Sequence, residues 1–251
     1  MNIHLHTICH NDIDILPFAI NYWKKSVSHV FVYLMSSSND GSKEYLSQFN
    51  DFISVVPVAD DNELNDVRNV VLKNKTWKAS RGKADFVIVT DLDEFIFSNN
   101  LENELEYMKN NGMTIVAPEV YHLISEQGPE VLNKSDLLHK QVRYGYYDPK
   151  FGKYCIFNPN EIDDINFMPE AHICHPHGNI KYYDKHKIFL LHAKYVGRKR
   201  FIEKSHFYSS RLSQMNKENK YGIEHTYNDN ILEELFNKKL NNAVNLTFKI
   251  M

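Results

Sequence analysis

Polar and apolar positions fall into blocks that each read as one element. Ile3–Cys9 reads as a strand, broken by His10-Asn11-Asp12. Over residues 14–25, Ile15, Leu16, Phe18, Ala19, Tyr22 and Trp23 recur at helical spacing. His29–Met35 is a second apolar strand, followed by the polar turn Ser36-Ser37-Ser38-Asn39-Asp40-Gly41 and a helix towards Phe49 that Ser42 can cap. Ile53–Val58 is a third strand, and Leu64, Val67, Val71 and Leu72 mark an amphipathic helix. Phe86–Val89 is a fourth strand, short and wholly apolar. Four alternations of strand and helix at short spacing predict an α/β fold with a mostly parallel sheet covered on both faces. Leu101, Leu105 and Met108 then suggest a helix, residues 114–120 a strand, 187–193 another, 199–220 a long helix and 231–240 a last one. Residues 121–169 mix short apolar runs with Gly, Pro and Asn, and their strands are not readable.

The fourth strand ends in Thr90-Asp91-Leu92-Asp93-Glu94-Phe95, three carboxylates within four residues. Side chains alternate across an extended segment, so Asp91 and Asp93 point the same way if the strand conformation persists. Two such acids past a buried strand repel each other and resist desolvation unless a cation joins them. Carboxylate oxygens suit Mg2+ or Mn2+, which keep positions open for substrate phosphates. The plain alternative is a solvated acidic turn. In parallel sheets ligands gather at the carboxyl ends of strands. That expectation places residues 10–12, 36–40, 60–61 and 91–94 along one edge.

Composition narrows the class without naming the chemistry. The 251 residues suffice for a full core, and a net charge of −3 argues against a nucleic-acid binder held by phosphate contacts. Three cysteines, Cys9, Cys155 and Cys174, form no CxxC pair and point to a reducing compartment. No apolar run reaches membrane-spanning length and the N-terminus lacks a signal-peptide pattern, so the expected location is cytoplasmic.

Four stretches carry a family resemblance. They are Thr7-Ile8-Cys9-His10-Asn11-Asp12 with Ile15-Leu16-Pro17, Asn39-Asp40-Gly41-Ser42, Val89-Thr90-Asp91-Leu92-Asp93-Glu94-Phe95 and Leu190-Leu191-His192-Ala193-Lys194-Tyr195. Together they resemble glycosyltransferases of the GT-A fold, family 2-like, of the small bacterial branch found with capsule or lipopolysaccharide genes. His10 stands where that family usually has Arg. The resemblance implies one GT-A domain over residues 1–251, with a Rossmann-like, mostly parallel central sheet and a less regular acceptor side. Within it, 1–120 would bind the nucleotide sugar, 121–198 would face the acceptor, and 199–251 would add C-terminal helices.

The same resemblance assigns roles. Asp93 would ligate Mn2+ or Mg2+ directly, Asp91 would sit nearer the ribose or bind through water, and His192 would be the distal metal ligand. Such an ion screens the charge growing on a departing nucleoside diphosphate. Thr7, Asp40 and Asp61 resemble contacts to uracil and ribose, and Arg68 would meet base or phosphate. Inverting members need a carboxylate to accept the acceptor proton; Glu119, Glu126, Asp148 and Glu170 are placed for it, with Glu126 favoured because it follows the strand after the acidic motif. His172, His175 and His177 would line the acceptor cleft. With Cys174 they also invite a zinc reading, although the spacing is too tight for a tetrahedron from one segment. Lys194, Arg198, Lys199, Arg200 and Lys204 would face diphosphate or an anionic lipid surface, the alternative being a solvated helix face.

The implied activity is transfer of a sugar, from a UDP-linked donor, to a surface-glycan or lipid-linked saccharide acceptor. It would be an inverting hexosyl transfer, with peripheral contact at the inner membrane. Two rivals stand beside it. A haloacid-dehalogenase-like phosphatase or phosphotransferase would use Asp91 as nucleophile, but its motif usually lies on the first strand and lacks the Glu94-Phe95 sequel. A binding module would hold a nucleotide sugar and release nothing.

Overall fold

The computed structural model describes residues 1–247. The first half follows the hydrophobic blocks. Strand β1 (Ile3–Cys9), helix α1 (Leu16–Trp23), β2 (His29–Met35), α2 (Ser42–Leu46), β3 (Ile53–Val58), α3 (Asp66–Thr76) and β4 (Phe86–Val89) succeed one another. Pro17 in the first turn of α1 occupies a position where a missing N–H costs nothing. The Asn65 side chain caps α3 by accepting from the Arg68 N–H. β1 pairs in parallel with β2 and with β4, and β2 with β3. All four residues of β4 are buried. The run β3-β2-β1-β4 reverses direction between β1 and β4. In open α/β sheets the crevice outside such a reversal is where ligands bind.

The second half departs from the expectation. β5 (Glu94–Phe97), α4 (Leu101–Asn110), β6 (Ile115–Val116), β7 (Glu119–Ser125), α5 (Leu138–Gln141), β8 (Tyr144–Tyr147), β9 (Ile156–Phe157), β10 (Ile162–Asp164) and β11 (His177–Gly178) come next. They are followed by β12 (Phe189–Val196), α6 (Arg198–Arg211), α7 (Gln214–Asn219), α8 (Asp229–Asn241) and β13 (Val244–Asn245). β9 and β6 extend the first sheet to six strands, both pairings antiparallel. β13, β8, β7, β12 and β5 form a separate five-stranded sheet, and β10 pairs with β11 as a ribbon.

The single GT-A central sheet, and with it the membership of the family 2-like branch, is therefore corrected. The strands divide between two distinct sheets. The physical reason lies in two short breaks. After Val89 the chain turns through Asp91–Asp93 and enters β5 against β12, not the first sheet. The strand expected over 114–120 likewise splits, because Pro118 lacks the N–H that a continuing ladder needs; Ile115–Val116 stays with the first sheet and Glu119–Ser125 joins the second. The acidic motif thus bridges the sheets instead of merely ending one.

The long helix expected over 199–220 is also two. α6 stops at Arg211, and Ser213 caps α7 by accepting from the Asn216 N–H. At the head of α6, Gly197 has φ +89°, and a Cβ there would lie 2.5 Å from Gly128 Cα. Only glycine fits that junction. One hydrophobic cluster links the two sheets through Leu5, Phe86, Phe95 and Leu191, a second gathers Trp77, Val87, Val89 and Phe157, and a third packs Phe201 of α6 and Phe236 of α8 on Tyr195.

Candidate functional site

A cavity of about 370 Å3 opens at the β1–β4 reversal. Asp91 and Asp93 form part of its wall, with Arg68 and Lys73 from α3, His192 and Lys194 from β12, and His172 beside them. The turn that presents the acids is fixed from within. The Asp91 N–H donates to Glu94 Oε2 at 2.8 Å, and the Glu94 N–H donates to the Asp91 carbonyl at 3.1 Å. Lys153 lies behind this turn, 2 % exposed, with Nζ 2.6 Å from Glu94 Oε2 and 3.5 Å from Asp91 Oδ2. From the cavity side, Lys73 Nζ donates to Asp91 Oδ1 at 2.5 Å. Burial alone would raise the Asp91 carboxyl, but the ammoniums of Lys73 and Lys153 outweigh it and hold the group well below the usual carboxylate range.

Asp93 is set differently. Its carbonyl accepts the Ala193 N–H at 2.8 Å, which ties the turn to β12. Its Oδ2 lies 3.5 Å from His192 Nε2. Burial pushes this carboxyl up, but His192 beside it and Arg200 beyond pull it down to about 2. Arg200 is itself held by Asp14 and by the Ala193 carbonyl, and Lys204 by Asp12, so the loop after β1 bolts α6 to the site. His172 packs on Phe151 with ring centroids 4.2 Å apart, and burial lowers its imidazole to about 3.

The site can be tested for a divalent ion by its donors. Asp93 and His192 offer a carboxylate oxygen and an imidazole nitrogen that face each other on the cavity wall. Neighbouring ligands of one small cation lie about 3 Å apart, close to that separation. Asp91 is the poorer donor to a cation, since an ammonium faces each of its oxygens and repels a second positive charge. Among the described residues no three His, Cys, Asp or Glu side chains gather as a ligand set. Two protein donors leave the rest of an ion's shell to water and substrate phosphate, and the imidazole nitrogen among them favours Mn2+ over Mg2+, whose ligands are oxygens. Asp93 and His192 are the residues that would hold it.

The remaining sequence candidates fall in different places. Arg68 lines the cavity and donates to Asp61 at 2.7 Å, so exposed Asp61 acts by holding the guanidinium. Asp40 accepts from the Ile13 and Ser42 N–H groups at 2.8 and 3.0 Å, joining the loops after β1 and β2. Thr7 is buried within β1 and does not line the cavity. Glu126 lies outside it, clasped by Arg198 through two bonds of 2.8 and 2.6 Å. Of the dense histidine segment only His172 reaches the cavity; His175 and His177 are exposed, the latter in the β10–β11 ribbon. In the basic group, Lys194 lines the cavity and pairs with Glu224 at 3.6 Å, whereas Lys199 pairs with Glu203 on the exposed face of α6.

Lys73, Lys153 and Arg211 were not legible as site residues. One signal existed for Lys153: it precedes the apolar run Cys155-Ile156-Phe157, and a lysine entering a buried strand needs an anion nearby. Lys73 looked like any lysine on an amphipathic helix.

No family model and no curated protein matches the chain. Solved structures of S. aureus TarS are similar to it. A complex with UDP-GlcNAc has TM-score 0.44 and 12% identity, covering 96% of this chain and 72% of that one. A TarS structure spanning a longer chain gives 0.43 and 14%, with 96% and 43% covered, and a complex with UDP gives 0.42 and 13%, with 96% and 71%. At those scores the likeness identifies neither fold family nor activity. Among the described residues no helix is long and apolar enough to cross a membrane.

Proposed function

We propose that this chain transfers a sugar from a nucleotide-sugar donor, UDP-linked, to a saccharide acceptor, using Mn2+ or Mg2+. The observation that supports this most is the pairing of Asp93 with His192 beside Lys73 and Arg68 in one cavity at the sheet reversal. An anionic leaving group needs cationic partners there, and the cavity supplies them from α3. A bound divalent ion would act as a Lewis acid on the leaving diphosphate.

The acceptor hydroxyl must lose a proton as it attacks the anomeric carbon, in a single displacement with inversion. Glu126 is engaged by Arg198, so its basicity is spent on that bond. Asp12 and Glu224 of the cavity wall are ion-paired, and Asp66 accepts from Asn216. Glu63 lies beside Arg68. Glu170 lines the cavity, accepts from the Gly222 N–H at 3.0 Å and has no ion pair among the described residues. Its backbone, like that of Ala171, sits in the left-handed region at φ +66° and +59°. Such strain in non-glycine residues concentrates at working sites. We assign Glu170 the proton-accepting role. The acceptor would be a surface glycan or lipid-linked saccharide, engaged from the His172 side with the inner membrane close by.

The test is release of nucleotide from UDP-, GDP- and CMP-linked sugars, with and without Mn2+, against mixed saccharide acceptors. We expect metal-stimulated release from a UDP sugar. Asp93→Asn lowers turnover about 10²–10³-fold, as loss of one preorganised charge-stabilising group does. Full turnover in Asp93→Asn, or no release from any donor, contradicts the proposal.

A further inference from the structure

We propose that Lys73 is the cation that grips the donor phosphates, and that Asp91, fixed by the buried Lys153–Glu94 pair, aims it instead of ligating the divalent ion. This rests on the nucleotide-sugar reading and adds a division of labour to it.

Three observations carry the inference. First, both oxygens of Asp91 face lysines: Oδ1 accepts from Lys73 Nζ at 2.5 Å and Oδ2 lies 3.5 Å from Lys153 Nζ. A divalent ion arriving there would meet two ammoniums, whereas Asp93 and His192 face each other with no lysine between them. Second, the two lysines differ in access. Lys153 is wholly enclosed and does not line the cavity, so it cannot touch a ligand; Lys73 does line it. An ammonium has three N–H donors. One of those on Lys73 goes to Asp91, which leaves two for an incoming oxyanion. Lys73 also lies near the carboxyl end of α3, where the helix carbonyls favour a positive charge.

Third, the Lys153–Glu94 pair has no evident stability role. A buried ion pair is commonly no more stabilising than apolar residues of similar volume, so its presence asks for another explanation. Here one is visible. Glu94 accepts the Asp91 N–H while Lys153 spans the Glu94 and Asp91 carboxylates, so the pair fixes both the backbone and the side chain of Asp91. Asp91 and Glu94 are then matched charge for charge by Lys73 and Lys153, and Lys153 is a positioning residue.

Calorimetric titration of the full chain with UDP, in EDTA and in Mn2+, tests this, alongside Mn2+ affinity read by electron paramagnetic resonance. The wild type binds UDP in EDTA and more tightly with Mn2+. Lys73→Met weakens UDP binding about 10-fold or more in both conditions, the size expected for a charge-assisted hydrogen bond, and leaves Mn2+ affinity within about 3-fold. Lys73→Gln, which keeps a donor to Asp91, gives the same pattern should the Met variant fold poorly. The neutral double variant Lys153→Met/Glu94→Gln weakens UDP binding about 10-fold in EDTA while its melting temperature stays within about 8 °C of the wild type and well above the binding temperature, a loss that a merely structural pair would not show. UDP affinity untouched by Lys73→Met and Lys73→Gln overturns the inference, as does loss of Mn2+ affinity in Asp91→Asn equal to that in Asp93→Asn. A wild type that binds no UDP in either condition overturns the nucleotide-sugar reading itself.

Discussion

Between pH 6.5 and 5.5 the protein loses about 2 kcal/mol of unfolding free energy from His6 and His122 alone, and about 4–5 kcal/mol by pH 4.5. His6 is 1 % exposed, with Nδ1 on the Tyr33 hydroxyl and Nε2 on the Ser80 hydroxyl. Burial lowers its imidazole to about 3. His122 is fully buried beside His192, and burial together with the charges of His192, Lys194 and Lys239 drives it further down. Both are neutral in the fold and take up a proton when the chain unfolds below their ordinary value of 6.5. The unfolded state therefore binds more protons below pH 6.5, so stability is complete above that pH and falls as pH drops towards the folded values. His139, lowered to about 4 mainly by burial, adds in the same direction. Urea unfolding at pH 7.5, 6.5 and 5.5 checks this; equal midpoints at all three would show that the histidines titrate freely.

The second large effect is at Lys153. Lys153→Met leaves the Glu94 carboxylate, 2 % exposed, without its cation and costs about 3–5 kcal/mol, the usual result of breaking a buried pair from one side. Lys153→Met/Glu94→Gln removes both charges while the glutamine carbonyl still accepts the Asp91 N–H. It recovers most of the loss, within about 1–2 kcal/mol of the wild type, because no unpaired charge stays buried. Chemical denaturation of the three proteins reads the difference directly. A single variant as stable as the wild type would show that the ammonium is not enclosed with Glu94.

What the sequence disclosed follows from where its information is local. β1 to β4 are legible because each is an apolar run between polar loops, and their order alone places Asp91 and Asp93 at a sheet edge. The second sheet was hidden. Glu94–Phe97 continues the apolar block of the acidic motif and gives no hint of a change of sheet, and β8 and β9 are too short to show a period. The charge balance of the motif is hidden for a related reason. Three acids in four residues read as a cation site, and the lysines that face Asp91 come from far along the chain: Lys73 lies 18 residues before it and Lys153 lies 62 after it. Charge compensation arriving from distant segments leaves no spacing to read. Glu126 follows a strand and so reads as a candidate base, while the partner that engages it, Arg198, is 72 residues away.

The account turns on what the cavity at the β1–β4 reversal holds. A crystal grown with UDP and Mn2+ answers this most directly. The expected density shows the ion on Asp93 and His192, the diphosphate between that ion and Lys73, and Asp91 still on its two lysines. Nucleotide bound elsewhere, with Asp93 and His192 bare, would contradict it.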